Sequence, residues 1–255
     1  MSRKIRLGML TPSSNTTLEP VTTAMVAQVP GVSAHFARFR VTQIALSQEA
    51  LGQFDDSEIM KAAELLADAK VDVIAWNGTS ASWLGFESDE RLCRRIETGT
   101  GIPTCTSVLA FREIFDRTGV RRVGLVTPYR SDVQDRIMSN WAQSGYRCSA
   151  ERHLNLQDNF SFAEVPSETI AGMARAVAAD GCDAVAIVCT NLAGAPLVST
   201  LEAELDIPVY DSIATTVWKS MQLAGCEAEH IAACGSLFRN PALASGRGRV
   251  TTAST

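Results

Sequence analysis

Val71-Asp-Val-Ile-Ala-Trp-Asn-Gly78-Thr79-Ser80 returns later in the chain, without a gap, as Cys182-Asp-Ala-Val-Ala-Ile-Val-Cys189-Thr190-Asn191. In each copy an Asp opens a short, mostly apolar run that stops at a small residue followed by a polar pair. Such a run, bounded in this way, predicts a buried parallel strand feeding a helix start. The copies differ at the strand end: one carries Gly78 and the other, in register, Cys189.

Two further segments repeat in the same order. Arg121-Arg-Val-Gly-Leu-Val-Thr-Pro-Tyr129 aligns on Ile5-Arg-Leu-Gly-Met-Leu-Thr-Pro-Ser13, and Asp206-Ile-Pro208 with Ser212 aligns on Gly101-Ile-Pro103 with Ser107. The shifts are 116, 111 and 105 positions, a slow drift that indicates internal duplication with unequal loops. A period of that size is a domain, and strands alternating with helices predict a parallel α/β sheet in each half. Strands are expected over 5–11, 33–41, the run ending at Gly78 and 101–107, with helices up to about Gln28 and over 57–70, 87–98 and 108–117. The division is an N-terminal α/β half over 1–117, a C-terminal half over 118–238 whose terminal helix packs on the first, and a flexible tail over 239–255.

The chain has 255 residues, 46% of them hydrophobic and 20% charged, which suits a globular protein with a substantial core. A net charge of −5 with scattered Lys and Arg gives no footprint for nucleic acid. The opening Met-Ser-Arg-Lys-Ile lacks the apolar centre of a signal peptide, and no run approaches the roughly 18 apolar residues of a membrane span. A cytoplasmic location without membrane partners is expected. Seven cysteines without a Cys-x-x-Cys pair argue against a disulfide framework or zinc site, and His35, His153 and His230 lack ligand spacing. Neither a metal nor a cofactor is expected.

In open parallel sheets ligands gather beyond the carboxyl ends of the strands. Four strand ends here are polar: Thr11 to Asn15, Asn77 to Ser80, Thr127 to Tyr129 and Cys189 to Asn191. If the halves face each other these converge on one cleft offering N–H donors, hydroxyls and one thiol, which suits a small carboxylate. The plain alternative for each Ser, Thr and Asn is helix capping, and for Cys189 it is a buried apolar cysteine. Asp72 and Asp183, at the remote ends of their strands, are expected to be solvated. The first turn lacks Gly-x-Gly-x-x-Gly and no Gly-Lys-Ser/Thr loop occurs, which discounts a nucleotide site.

Pro12-Ser13-Ser14-Asn15-Thr16-Thr17, Gly78-Thr79-Ser80, Tyr129 with Asp132-Val133, and Cys189-Thr190-Asn191 together resemble the aspartate/glutamate racemase superfamily, within it the branch of arylmalonate decarboxylase and maleate cis-trans isomerase. The resemblance implies a cofactor-independent enzyme with two pseudosymmetric α/β halves and the active site between them. It implies Cys189 as proton donor, with Thr79, Ser80, Tyr129 and the Thr190 N–H forming a hole for an enediolate. Pro12, Ser13, Ser14, Asn15, Gly78, Thr190 and Asn191 would bind substrate. Racemases and maleate isomerases of the superfamily carry a thiol on each side of the substrate carbon, whereas Gly78 leaves only Cys189, as in the decarboxylase. Decarboxylation of a malonate-type diacid is therefore the leading expectation. Maleate isomerisation or amino-diacid racemisation is the alternative, and a non-catalytic carboxylate-binding protein comes after both. The polar Ser13-Ser14-Asn15 loop points the other way, toward the isomerases. Cys93 and Cys105 are expected in helix or core rather than as a second thiol. A homo-oligomer is compatible with the resemblance.

Overall fold

A computed structural model describes residues 4–47, 56–226 and 231–244. The first half holds β1 (Ile5–Pro12), α1 (Leu18–Val26), β2 (Val32–Phe39), α2 (Asp56–Asp68), β3 (Val73–Trp76), α3 (Ala81–Leu84), α4 (Phe86–Thr100), β4 (Thr104–Thr106) and α5 (Ser107–Thr118). The second holds β5 (Arg122–Thr127), α6 (Ser131–Gln143), β6 (Arg147–His153), α7 (Ser167–Ala179), β7 (Ala184–Ile187), α8 (Val198–Leu205), β8 (Val209–Asp211) and α9 (Ser212–Leu223).

Two four-stranded sheets result, ordered β2-β1-β3-β4 and β6-β5-β7-β8, and every pairing within them is parallel. The same order in both is the structural form of the repeat seen in the sequence. β3 and β7, the two quoted runs, are buried throughout because helices cover both faces of each sheet. Each buried Val or Ile there contributes roughly 1.5–3 kcal/mol. Beyond β3 the expected single helix is two: Gly85, at φ 99°, breaks the path between α3 and α4 in a conformation that a side chain disfavours. Among the described residues no helix is long and apolar enough to cross a membrane.

Asp72 and Asp183 differ from expectation. Asp72 accepts from the N–H of Arg6 (2.8 Å), and Asp183 accepts from the N–H groups of Arg121 (3.0 Å) and Arg122 (2.8 Å) and from the Arg122 guanidinium. Both are half-buried and close the N-terminal end of the central strand beside them. Those N–H bonds hold the Asp183 carboxyl below its usual range.

α5 and α9, which start at the paired positions 107 and 212, lie against each other between the sheets. Ser107 Oγ donates to the carbonyl of Ser212 (3.2 Å), and Cys105 and Ser220 meet at 3.5 Å. Each helix is capped by its preceding residue: Thr106 accepts from the Leu109 N–H, and Asp211 from those of Ile213 and Ala214. Of the expected tail, residues 241–243 form a 3-10 turn with Leu243 buried, and Arg117 donates to the carbonyls of Ala242 and Ala244. Residues 245–255 lie outside the described residues.

Candidate active site

The ends of β1, β3, β5 and β7 meet where the two sheets face each other. Thr190 ties them together: its hydroxyl donates to the carbonyl of Asn77 (2.9 Å) and accepts from Asn15 Nδ2 (3.1 Å). A narrow pocket of about 20 Å³, partly open to solvent, lies at this junction. Its polar side is Thr79, Ser80, Tyr129, Asn159, Cys189 and Thr190, and its apolar side is Pro12, Val41, Ile44, Trp76 and Trp83, with Gly78 between them.

Tyr129 is the centre of the polar side. Its hydroxyl lies 2.6 Å from Thr79 Oγ1 and shares the pocket with the Cys189 thiol. Trp83 and Phe162 hold its ring edge-on at 5.3 and 5.7 Å, so the hydroxyl has little freedom to turn away. Burial pushes the tyrosine well above its ordinary value, with the neighbouring thiol adding to the shift.

Cys189 follows β7 and is 3% exposed. Its sulfur accepts from the Asn191 N–H at 3.3 Å. Burial dominates nonetheless and pushes the thiol up to about 12, against the opposing pull of the Asn191 N–H and the Tyr129 hydroxyl. At neutral pH the group is a thiol, able to give a proton and poorly suited to act as a nucleophile.

Gly78, the counterpart of Cys189, has no room for a side chain. A Cβ there would overlap the indole of Trp76, at its Cζ2, Cε2 and Cη2 atoms. Trp76 is itself 1% exposed and packs on Phe39 at 5.1 Å.

Of the residues expected to bind substrate, Pro12, Gly78 and Thr190 line the pocket, and four do not. Ser13 and Ser14 both donate to the carbonyl of Val41, at 3.3 and 2.7 Å, and Ser13 Oγ also accepts from the Val41 N–H. Asn15 Oδ1 accepts from the N–H groups of Thr17 and Leu18, the start of α1. Asn191 Oδ1 reaches across from the second half to the N–H groups of Thr16 and Thr17, while its Nδ2 donates to the carbonyl of Asn159 (2.6 Å). The two asparagines cap and stitch. The serines, which made the first loop look polar, hold Val41 so that an apolar surface faces the pocket.

Val41, Ile44, Trp76, Trp83 and Asn159 are pocket residues that the sequence reading passed over. Trp76 and Trp83 flank Gly78-Thr79-Ser80, and their proximity was the available signal. Val41 and Ile44 follow β2 and Asn159 follows β6, equivalent connections of the two halves that lie outside the repeated segments of the sequence. These connections are knitted to each other by Ile44 N–H to Gln157 O (3.0 Å) and Asn159 N–H to Thr42 O (2.9 Å). Cys93 and Cys105 are on α4 and β4, away from this pocket; burial raises Cys105 to about 11 and Cys93 further. Cys182 packs against Gly124, and the side chain of Cys234 is outside the described residues.

Comparison with known proteins gives one consistent neighbourhood. The profile of the arylmalonate decarboxylase family matches residues 7–238. A maleate isomerase of Pseudomonas putida is 26% identical over 239 residues, covering 89% of this chain and 94% of its own. The arylmalonate decarboxylase of Bordetella bronchiseptica is 29% identical over 169 residues, covering 65% and 70%. Among solved structures, a cysteine-to-serine mutant of the Nocardia farcinica maleate cis-trans isomerase with a covalently bound succinylcysteine intermediate superposes with a TM-score of 0.84 at 24% identity, over 92% of this chain and 98% of that one.

Proposed function

This chain belongs to the arylmalonate decarboxylase family, and from that premise we propose that it decarboxylates a malonate-type diacid, with Cys189 as the proton donor. One observation carries the choice of reaction: the pocket has a thiol on one side only, and the matching position on the other is a glycine covered by an indole.

The chemistry runs as follows. One carboxylate sits among the hydroxyls of Thr79, Ser80 and Tyr129 with the Thr190 N–H. The other is turned toward Val41, Ile44 and Trp76, where loss of hydration favours its departure as CO2. The bonding pair left on the α-carbon delocalises into the remaining carboxylate, and the donors already aimed at its oxygens stabilise the enediolate. A single such donor contributes on the order of 3–4 kcal/mol. Cys189 then gives its proton to the α-carbon. The thiolate left behind is stabilised by the Asn191 N–H and the Tyr129 hydroxyl until water reprotonates it. Burial, which raises the thiol to about 12, keeps the proton in place at neutral pH until the carbanion forms.

The relatives named as maleate isomerases favour a second reading, isomerisation of maleate. The succinylcysteine captured in the Nocardia enzyme speaks for addition of a thiolate to the double bond in that protein. Here the pocket lining has one cysteine and a glycine beneath an indole in place of a second, which weighs against the same chemistry. Proton NMR in D2O, with no cofactor added, tests the choice on a panel of substituted malonates and maleate. An α-deuterated monoacid is the expected product, and fumarate formed from maleate would overturn the assignment.

A further inference from the structure

Trp76 has no part in the proton chemistry, yet its indole is one of two against the pocket, with Trp83, and lies where a side chain at position 78 would begin. It is buried, braced by Phe39 and carried on a strand that pairs on both edges, with β1 through Leu7 to Leu10 and with β4 through Thr104 to Thr106. A ring fixed in this way is a wall. The Cys189 thiol lines the same pocket, at the strand end equivalent to Gly78.

We propose that Trp76 is the specificity-determining residue of the pocket, its indole closing the face of the substrate carbon opposite Cys189 and limiting the size of the substituent that the carbon can bear. The proposal rests on the reading of the site as a malonate decarboxylase, and it adds to that reading a residue whose role is steric. Gly78 follows from Trp76: the glycine is the only residue that lets the backbone pass beneath the ring. The missing thiol on that side is then a consequence of the wall, since Gly78→Cys cannot be accommodated while the indole stays in place.

The steric claim is tested by thermal unfolding of the full chain, independently of catalysis. Gly78→Ala is expected to lower the melting temperature by about 5 °C or more, as overpacking of a buried site does. In a Trp76→Leu background, which keeps apolar volume but vacates the ring's outer half, the same change is expected to cost less than half as much. Should Gly78→Ala alone be insoluble, recovery of soluble protein in the double variant is the equivalent result. Equal losses in both backgrounds, or insolubility of both, overturn the wall.

The specificity claim is tested by kcat/KM for phenylmalonate and 2-naphthylmalonate. Trp76→Leu should raise the naphthyl-to-phenyl ratio by about 10-fold, the scale of one or two methylenes in an apolar pocket. An active variant with an unchanged ratio overturns the specificity role and leaves the decarboxylase reading intact. If the natural chain converts neither of these nor the smaller methylmalonate, the decarboxylase reading fails and the specificity role falls with it, while the unfolding comparison still decides whether the indole is the wall.

Discussion

Gly78 and Cys189 end equivalent strands in equivalent sheets, and the surroundings of each explain why they diverged. Behind Cys189 the backbone turns so that the Asn191 N–H meets the sulfur at 3.3 Å, and the hydroxyl of Tyr129, in the turn after β5, lines the same pocket. Behind Gly78 the residue two places earlier has grown into an indole that fills the corresponding space. The repeated fold supplies two equivalent strand-end positions at one junction, and the side chains next to them differ: a hydroxyl and an N–H around the thiol, an indole over the glycine. Symmetry of the backbone does not carry over to the reacting groups.

The comparison breaks most readily at the sulfur. Cys189→Ala is expected to reduce kcat for malonate decarboxylation by roughly 10²- to 10⁴-fold, the weight of a positioned acid. Steady-state kinetics with substituted malonates measure this, and full activity would return the thiol to the class of buried structural cysteines. Tyr129→Phe removes the hydroxyl shared by Thr79 and Cys189 and should reduce kcat by about 10²-fold with a smaller effect on KM. An effect confined to KM would make the tyrosine a simple binding group.

The stitches between the halves respond in stability. Asn15→Ala leaves the Leu18 N–H without its acceptor, takes one of two acceptors from the Thr17 N–H and removes the donor to the Thr190 hydroxyl. A loss of about 2 kcal/mol is expected, seen as a lower denaturant midpoint, and an unchanged midpoint would show that water takes over the cap.

The pH dependence sharpens the contrast in a different way. The donor must carry its proton, and its value is raised from 9.0 to about 12, so kcat/KM should remain level as pH passes about 9 and decline only above that. A decline near 9 would mean that an ordinary thiol is at work. Asp89, buried beside Thr106 on the Gly78 side, is raised from 3.8 to about 7, chiefly by burial. The folded state therefore holds a proton that the unfolded state releases above about 4, and the stability this provides below pH 4 is lost as pH rises through 7. Asp89→Asn should raise the melting temperature at pH 8 by a few degrees and give no gain at pH 4; a gain of equal size at both would separate the effect from ionisation.

Much of this was legible in the sequence, for identifiable reasons. The repeated apolar runs and the Ile-Pro pairs mark strands by period and placement, so the duplication, the parallel sheets and the convergence of strand ends could be read directly. The thiol stood out because its counterpart was a glycine. Ser13, Ser14, Asn15 and Asn191 were read toward the substrate because a strand-end hydroxyl or carboxamide looks the same whether it faces a ligand or a backbone. Their partners lie on Val41, on Thr190 and at the start of α1, and for Ser13, Ser14 and Asn191 these are 27 to 175 positions away. No local pattern encodes such pairings. Trp76 escaped notice for a related cause: within an apolar run it counts as core, and only the direction of its ring makes it part of the site.

The Asn191 carboxamide spans from the second half to the first turn of the first half's opening helix, and nothing at the equivalent position, Ser80, returns the gesture. Two identical subunits could not be built this way, because whatever one donated the other would have to donate as well. A single polypeptide carrying both halves escapes that rule. Covalent fusion is thus what lets one junction carry a thiol at one strand end and a glycine beneath an indole at the other, an asymmetry that two identical halves in a homodimer could not have.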